Sequence, residues 1–437
     1  MPFVNLPTRP TTYEIPSYSL TGDLLAFRHC GLRYRFHGIG KMPETRPVQR
    51  WYGVFIHGCL DEAYRYYKAF ASGRNERPPW HPVVLTEIIE LVTRRLENQD
   101  LRAWSHAIRV AAEARVTTTL REAGPRLLPM ILQTETRVTG TRPLAEDSPT
   151  RTFRVVDRYE VTGVIDAVAS LSPGSRGLVE EAMRSTLGLL PDAGTTVIID
   201  YKGSRRPSLA HTPGTLARDG VGNDDVGDTI DDVGLAEGQP TVWTSPEWQV
   251  ASYADLWSAG RPIHQGMTGM VIYINELHPN EVDFLKFQTE IRLGLTDVPP
   301  EGRLLAEALA WRRGNPLPAL PLRFRLLRAM RSIPVNAEAI RTAATAFDSV
   351  VTEIEECLSR EHRGGTMREV WQQNPNPSCP TCDLRFTCSA FQATSVGRRQ
   401  FATPRAPEHR GREGQGTLRH GGAPGDPAPD GTDARPR

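Results

Sequence analysis

The sequence has few cysteines, no long apolar run and no excess of either charge, and each shortage excludes a class of protein. Six cysteines in 437 residues are too few for a small fold stapled by disulfides. No window approaches 18 consecutive apolar residues, so we expect no membrane-spanning helix. The 52 lysines and arginines nearly cancel the 51 aspartates and glutamates, so any nucleic-acid surface must be a local patch.

Several catalytic motifs are also missing. The chain contains no G-x-x-x-x-G-K-[ST], H-E-x-x-H, G-x-S-x-G or G-x-G-x-x-G, which argues against a P-loop motor, a zincin protease, a serine hydrolase and a Rossmann dehydrogenase. The first residues lack a basic stretch followed by an apolar one, so we expect no signal peptide and a cytoplasmic protein. In a reducing compartment the cysteines should be free thiols or metal ligands, because disulfides do not persist there.

What is present suffices for a large folded core. Hydrophobic residues make up 39% of the chain and charged residues 24%, which excludes a wholly disordered or collagenous protein. Apolar periodicity in the first half predicts helices over 17–36 and 51–70, a helical insertion over 84–123, and strands over 131–138, 153–161, 164–171 and 196–201. The β-branched run Val197-Ile198-Ile199 is typical of a central strand that is buried on both faces.

The second half opens with a change of composition. Residues 203–240 are rich in glycine and aspartate, poor in apolar residues, and lack calcium-loop spacing, so we predict a flexible insertion. The pattern that follows predicts a helix over 246–259, strands over 269–274 and 281–289, and a helix-rich section over 301–361. We therefore divide the chain into an N-terminal extension over 1–16, a folded domain over 17–395 and a disordered tail over 396–437.

Two acids and an amine form the main chemical signal. Asp166 and Asp200 each lie in or at the end of a predicted strand, and Lys202 shares a strand face with Asp200 because side chains alternate. Two carboxylates can share Mg²⁺, which would polarise a phosphodiester and acidify a bound water. The ordinary alternative is an aspartate that caps a turn beside a solvated lysine, since D-x-K is common by chance.

Two predicted helices add polar residues to this set. His57 lies four residues after Gly53 on the second helix, and Gln249 and Tyr253 have the i,i+4 spacing that puts both on one helix face. Taken singly, His57 fits a core histidine, and Gln249 with Tyr253 fits an ordinary amphipathic pair. The ordered set of all these residues in one chain is much harder to obtain by chance.

With these motifs the sequence resembles the PD-(D/E)XK nuclease superfamily, and its RecB-like branch in particular. The matching segments are GVFIH at 53–57, GVID at 163–166, IDYK at 199–202 and QVASY at 249–253. The resemblance implies an α/β fold with a restriction-endonuclease-like core, in which a central mixed sheet of four or five strands is flanked by helices and carries helical additions.

The resemblance also implies a role for each matching residue. His57, Asp166 and Asp200 would bind Mg²⁺ or Mn²⁺, and Lys202 would position or activate the attacking water. Gln249 and Tyr253 would hold the site together and meet the DNA. Glu135 stands on the strand before Asp166, where relatives often have an acid, although a glutamate on an edge strand is usually solvated.

Four of the six cysteines predict a second metal site. Cys379, Cys382 and Cys388 have the spacing C-x₂-C-x₅-C, and Cys30 stands alone near the start. Spacing alone suits zinc or an iron–sulfur cluster. The resemblance to AddB-type and CRISPR-adaptation nucleases implies a 4Fe–4S cluster that staples the segment 375–392 to the N-terminal part. We predict that the remaining cysteines, Cys59 and Cys357, are small core residues.

The predicted function is metal-dependent hydrolysis of DNA, most readily by an exonuclease that acts on ends or single strands in repair, recombination or defence. Stacking and phosphate contacts could guide a strand along the segment Arg33-Tyr34-Arg35-Phe36, although a packed helix end is an equal alternative. A helicase or a CRISPR or other defence protein would be the protein partner.

Two other functions compete with this prediction. One is a catalytically silent DNA-binding or scaffold partner of a helicase or integrase complex, against which the intact Asp166, Asp200 and Lys202 argue. The other is a zinc-stapled structural protein without a nucleic-acid role.

Overall fold

The structure is a computed structural model that describes residues 13–44, 48–146, 148–206, 245–259, 266–376 and 379–393. The predicted tail, most of the predicted insertion over 203–240, and residues 1–12 of the predicted extension lie outside the described residues. None of the described helices combines the length and the apolar character needed to cross a membrane.

Helices account for most of the described chain. Two short helices near the start, which are continuous with further helical turns up to Ile39, are α1 (Ala26–His29) and α2 (Gly31–Tyr34). The helices of the middle part are α3 (Val48–Ala71), α4 (Pro82–Asn98), α5 (His106–Glu122), α6 (Gly124–Met130), α7 (Pro149–Phe153), α8 (Leu178–Leu187) and α9 (Ser245–Ser258). Those of the last part are α10 (Ile274–Leu277), α11 (Glu281–Leu293), α12 (Gly302–Ala310), α13 (Leu322–Ala329), α14 (Ala337–His362), α15 (Met367–Val370) and α16 (Ser389–Gln392).

The strands of the described residues form one mixed sheet of six members, against the four or five that we predicted. They are β1 (Ser17–Ser19), β2 (Ile131–Pro143), β3 (Arg158–Leu171), β4 (Thr195–Lys202), β5 (Met267–Tyr273) and β6 (Met330–Ile333). The order is β1-β3-β4-β5-β6, and β2 runs antiparallel to β3 along its other edge. Because β2 occupies one edge of β3, the other edge is shared: residues 160–162 pair with β1 and residues 167–171 pair with β4.

Two apolar cores cover the two faces of the sheet, as expected for a central sheet flanked by helices. Side chains that alternate along β4 enter different cores: Val197 and Ile199 pack with helices α3, α4 and α5, whereas Ile198 packs with α9, α14 and the N-terminal helices. This confirms the prediction that the run at 197–199 is buried on both faces.

Several predicted elements differ from the structure in type or extent. Residues 17–19, the start of the helix predicted over 17–36, form strand β1. Residues 281–289 are helical and not a strand, because Asn280 caps the amides of Val282 and Asp283 and forms a capping box. The two strands predicted over 153–161 and 164–171 are the single strand β3, since β2 pairs with it straight through Gly163. The region 84–123 is helical as predicted, and it consists of the two helices α4 and α5, the second of which begins after the cap Ser105.

Candidate active site and metal centre

The candidate site lies where β3 and β4 stop pairing. Ala167 pairs with Ile199, and beyond this point β4 continues to Lys202 without β3 beside it. There the Asp166 side chain replaces the missing strand-to-strand hydrogen bond, because its Oδ2 accepts a hydrogen bond of 2.7 Å from the backbone amide of Tyr201. The gap between the two strands thereby presents carboxylates from both strands to one point.

Three side chains converge at this gap with ligand atoms that all lie within 4.8 Å of one another: His57, Glu135 and Asp166. His57 projects from α3, and its Nδ1 lies 3.3 Å from Oδ1 of Asp166. Carboxylate oxygens and an imidazole nitrogen are donors that suit Mg²⁺ or Mn²⁺. This set is the candidate metal centre in the described part of the chain.

Glu135 reaches the centre through strand register. Thr134 pairs with Ala167 and Thr136 pairs with Ile165, so Glu135 stands directly opposite Asp166 on the neighbouring strand. Its backbone has a φ of +45°, a left-handed conformation that costs about 1–2 kcal/mol in a residue other than glycine. The sequence placed an acid on the strand before Asp166, but only the register makes it face that residue.

The remaining predicted residues form a chain of polar contacts beside the centre. Lys202 Nζ lies 3.0 Å from Oδ2 of Asp200 and donates a hydrogen bond of 3.0 Å to Oε1 of Gln249. The amide nitrogen of Gln249 in turn donates to the Tyr253 hydroxyl at 3.0 Å. The i,i+4 pair on α9 therefore fixes the position of the lysine, while Asp200 contacts the lysine and stands outside the group of three ligand atoms.

A glycine permits this arrangement. A Cβ at Gly163 would lie 2.6 Å from Cε1 of Tyr253, closer than any side chain tolerates, so the tyrosine ring packs directly on the backbone of β3. At Gly53, by contrast, a Cβ would meet nothing within 4 Å, because this face of α3 lines an open groove. The first glycine serves helix packing, and the second leaves space above the site.

Mutual proximity of these groups shifts their pKa values. Burial disfavours a charged His57, but the carboxylates of Asp166 and Asp200 outweigh it and raise the pKa of His57 to about 9. Burial also opposes a charged Asp166, yet His57, Lys202 and the Tyr201 amide hold its pKa below the usual value. Burial and the Asp166 carboxylate raise the pKa of Asp200 to about 6 despite Lys202.

The pKa of Glu135, which lines the groove, is also raised. Partial desolvation and the nearby Asp166 carboxylate raise its pKa to about 7. Near neutrality His57 therefore carries a proton and Glu135 is partly protonated, and a divalent cation would have to displace these protons to bind.

A groove of about 1490 Å³ opens onto the candidate centre. Cationic side chains outnumber acids along it: Arg33, Arg50, Arg65, Arg95, Arg115, Arg137, Lys202 and Arg205 against Glu44, Asp61, Glu135 and Asp166. A local basic patch on a chain of nearly neutral overall charge is what a nucleic-acid surface requires here.

Sequence analysis missed one cluster that lines this groove. Arg115 and Arg205 contact the two oxygens of Asp283 at 2.5 and 2.8 Å, and Arg115 also hydrogen-bonds Tyr52. Tyr52 donates to Asn275 at 2.8 Å. These residues come from four distant parts of the chain and follow no local motif, so no sequence signal pointed to them.

The basic-aromatic segment after Cys30 does not form the predicted DNA guide. Tyr34 is 2% exposed and bonds Asp23, and Arg35 is 1% exposed and forms a two-pronged pair with Glu361. Both are therefore packing residues, as the alternative held. Arg33 alone of this segment lines the groove.

The four cysteines of the predicted second site surround one small cavity. Cys30, Cys379, Cys382 and Cys388 all line it. Burial raises the pKa of Cys379, and the three other thiols of the group raise it further. Cys59 is fully buried in the core, as predicted, and Cys357 is partly buried against the carbonyl of Val370.

Hydrogen bonds hold the two chain segments of this cavity together. The amide of Leu32 donates to the carbonyl of Gln372 at 2.9 Å, and the Asn376 side chain donates to the carbonyl of His29 at 3.2 Å. The beginning and the end of the described chain therefore meet at the cysteines.

Comparison with known proteins gives one family match. No curated protein matches the chain. Residues 22–179 match the sequence profile of the PD-(D/E)XK nuclease superfamily, a stretch that contains His57, Glu135 and Asp166 and ends before Asp200. The nucleases of this superfamily use divalent metals. The match and the six-stranded sheet flanked by helices in the described chain are consistent with a restriction-endonuclease-like fold.

Proposed function

We propose that the protein is a Mg²⁺- or Mn²⁺-dependent deoxyribonuclease. The observation that carries the proposal is the convergence of His57, Glu135 and Asp166 within 4.8 Å beside the Asp200–Lys202 pair, at the bottom of a basic groove. A hydrolytic site of this kind needs ligands for a cation, a group that orients water and a basic surface that binds DNA. Residues for each of these are present here.

His57, Glu135 and Asp166 would hold the cation, with Asp200 nearby as a third carboxylate. A bound cation supplies polarisation of the phosphodiester and a more acidic water. The chain fixes the holders in advance: the Tyr201 amide orients Asp166, and Asp166 orients the His57 ring. This fixed geometry removes the cost of ordering the ligands when the cation enters.

Lys202 would orient the attacking water. Its ammonium is held between Asp200 and Gln249, so its N–H groups have a defined direction. In the reaction the water oxygen forms a bond to phosphorus, the bond from phosphorus to the ester oxygen breaks, and that leaving oxygen takes up a proton. Tyr253 acts on the lysine indirectly, because its hydroxyl accepts the hydrogen bond that fixes the Gln249 side chain.

We further propose that the enzyme is an exonuclease on ends or single strands, and that the cysteines hold a 4Fe–4S cluster. The shared cavity of Cys30, Cys379, Cys382 and Cys388 supports the cluster, since four thiols are the donor set that such clusters require. Phosphodiester hydrolysis needs no electron, so the proposed role of the cluster is structural.

The function is tested with end-labelled oligonucleotides and Mg²⁺ or Mn²⁺. We expect cleavage that EDTA stops and that Asp166→Asn and Lys202→Met remove, because each change deletes a charge at the centre with little change in volume. Asp192→Asn, at an exposed loop position, is the matched control and should cleave like the wild type. Circular single-stranded DNA should resist an exonuclease. Undiminished cleavage by Asp166→Asn would exclude this site as the catalytic centre.

A further inference from the structure

Trp104 is conspicuous because it is 72% exposed. Trp51, Trp248, Trp311 and Trp371 are at most 5% exposed, and Trp80 and Trp257 are partly buried. A large apolar ring in water is costly, and tryptophan at a surface is enriched at binding sites. Trp104 therefore needs a reason other than packing.

The position of Trp104 connects it to the catalytic groove. It lies in the connector between α4 and α5, and residues on both sides of this connector, Leu96, Gln99, Ala107 and Ile108, line the groove. The same groove contains His57 and Asp166. Trp104 is not itself a lining residue, but the lining residues on either side place the connector next to the rim of the groove.

The distance from the centre to the connector follows from the length of α4 between them. A Cβ at Gly58, the residue after His57, would lie 3.0 Å from Cγ1 of Val92 on α4. Gln99 is seven residues farther along the chain, about 10 Å at the rise of a helix. A strand that leaves the centre along α4 would therefore reach the connector within a few nucleotides.

The groove surface has two chemical characters. Arg65 and Arg95 line it, and their side chains remain 59% and 42% exposed although each pairs with one acid of α3, Asp61 and Glu62 respectively. Apolar side chains also line it, among them Val54 and Val164, which are 39% and 38% exposed. Cations for phosphates together with apolar surface for bases are the combination that single-stranded nucleic acid binds.

We propose that the α4–α5 connector is a base-stacking platform for single-stranded DNA, with Trp104 as the stacking residue and Arg65 and Arg95 as phosphate contacts. Inside a duplex both faces of a base are covered by its neighbours, so Trp104 can stack only on an unpaired base or at an end. The platform thereby selects single strands or frayed ends. This inference rests on the proposed function, because it places the substrate of that site.

Binding of a fluorescent single-stranded 20-mer, measured by anisotropy with Ca²⁺ in place of Mg²⁺, tests the platform. Trp104→Ala should weaken binding by about 5- to 150-fold, the range for loss of one base–aromatic stack. Trp104→Phe should retain most of the affinity. Tyr13→Ala, at another aromatic side chain with 78% exposure that lines a different pocket beside Arg151 and Arg158, is the matched control and should bind like the wild type.

Two further measurements separate stacking from damage to the site. Hydrolysis of bis(p-nitrophenyl) phosphate, which is too small to reach the connector, should be unchanged in Trp104→Ala. Binding of a blunt hairpin duplex should change much less than binding of the single strand.

The outcomes distinguish the two proposals. If Trp104→Ala binds single strands as tightly as the wild type does, the platform is overturned and the nuclease proposal stands. The same holds if the variant loses equal affinity for single strand and duplex. If the wild type cleaves no DNA, but binds single strands more tightly than Trp104→Ala does, the nuclease proposal is overturned and the platform stands. A wild type that binds no DNA would overturn both.

Discussion

At the scale of single residues, Glu135 shows how a strained position serves the candidate centre. Its backbone has a left-handed φ of +45°, and register sets it opposite Asp166. Strain of this kind persists only where the surroundings hold it, and it is concentrated at functional sites. Partial burial, together with repulsion from the facing Asp166 carboxylate, raises the pKa of Glu135 to about 7.

Glu135→Gln should weaken Mn²⁺ binding by at least about tenfold, because it removes one charged ligand while keeping the shape of the side chain. Isothermal titration calorimetry measures the change directly. Glu160→Gln, an exposed acid on the adjacent β3, is the control and should bind Mn²⁺ like the wild type. Equal affinity in Glu135→Gln would remove this residue from the metal centre.

The raised pKa values of His57 and Glu135 predict a pH dependence of metal affinity. Both groups bind a proton more tightly than usual, so at low pH protons compete with the cation. Mn²⁺ affinity should therefore rise as pH increases from 6 to 9, by about tenfold per unit where one proton is displaced. His57→Ala should flatten the curve between pH 7 and 9. A flat curve in the wild type would contradict the assignment of these ligands.

At the scale of elements, the site depends on how closely α9 packs on β3. Tyr253 is 3% exposed and lies over Gly163, and its hydroxyl holds the Gln249 amide that holds Lys202. The helix carries no ligand of the candidate cation, yet its distance from the sheet sets the position of the lysine. A small change in that distance should therefore affect turnover more than metal binding.

Gly163→Ala tests this element. The new methyl group would meet the buried Tyr253 ring at 2.6 Å and push α9 away, which should lower the free energy of unfolding by about 1–3 kcal/mol and reduce kcat. Gly140→Ala is the control, because its methyl group would meet Leu256 on the same helix at the flexible end of the side chain. If both variants lost kcat equally, the tyrosine contact would not be specific to the site.

At the scale of the whole molecule, the described ends of the chain are joined. Buried ion pairs link the N-terminal part and the α7 end to helix α14: Arg35 with Glu361, and Arg154 with Glu355. Breaking one partner of such a pair is strongly destabilising, since it leaves a buried charge without compensation. The cysteine cavity lies at the same junction, so a cluster there would close a loop from Cys30 to Cys379.

Closing so long a loop would stabilise by about 6 kcal/mol, by analogy with a disulfide. Cys30→Ser should therefore give protein with a lower Tm, without the brown colour of an iron–sulfur cluster and with secondary loss of activity. Wild type prepared without oxygen should contain about four irons and four labile sulfides. Cys357→Ser, outside the cavity, should keep its iron. Stoichiometric zinc without sulfide would refute the cluster.

Much of the candidate site could be predicted because its motifs are local. Asp200 and Lys202 share a strand face, and Gln249 and Tyr253 share a helix face, so spacing alone relates the members of each pair. The buried strand at 197–199 follows from its β-branched run. The helix at 281–293 was also predictable in principle, since its capping box stands in the sequence at Asn280.

Other features were decided only by tertiary structure. The partner of Asp166 across the strands depends on register, and burial of Arg35 depends on Glu361, 326 positions away. The arginine pair on Asp283 and the exposure of Trp104 are likewise set by segments that no local pattern relates. The physical reason is that secondary structure and face follow from neighbouring residues, whereas a contact between distant segments depends on which surfaces the whole chain buries.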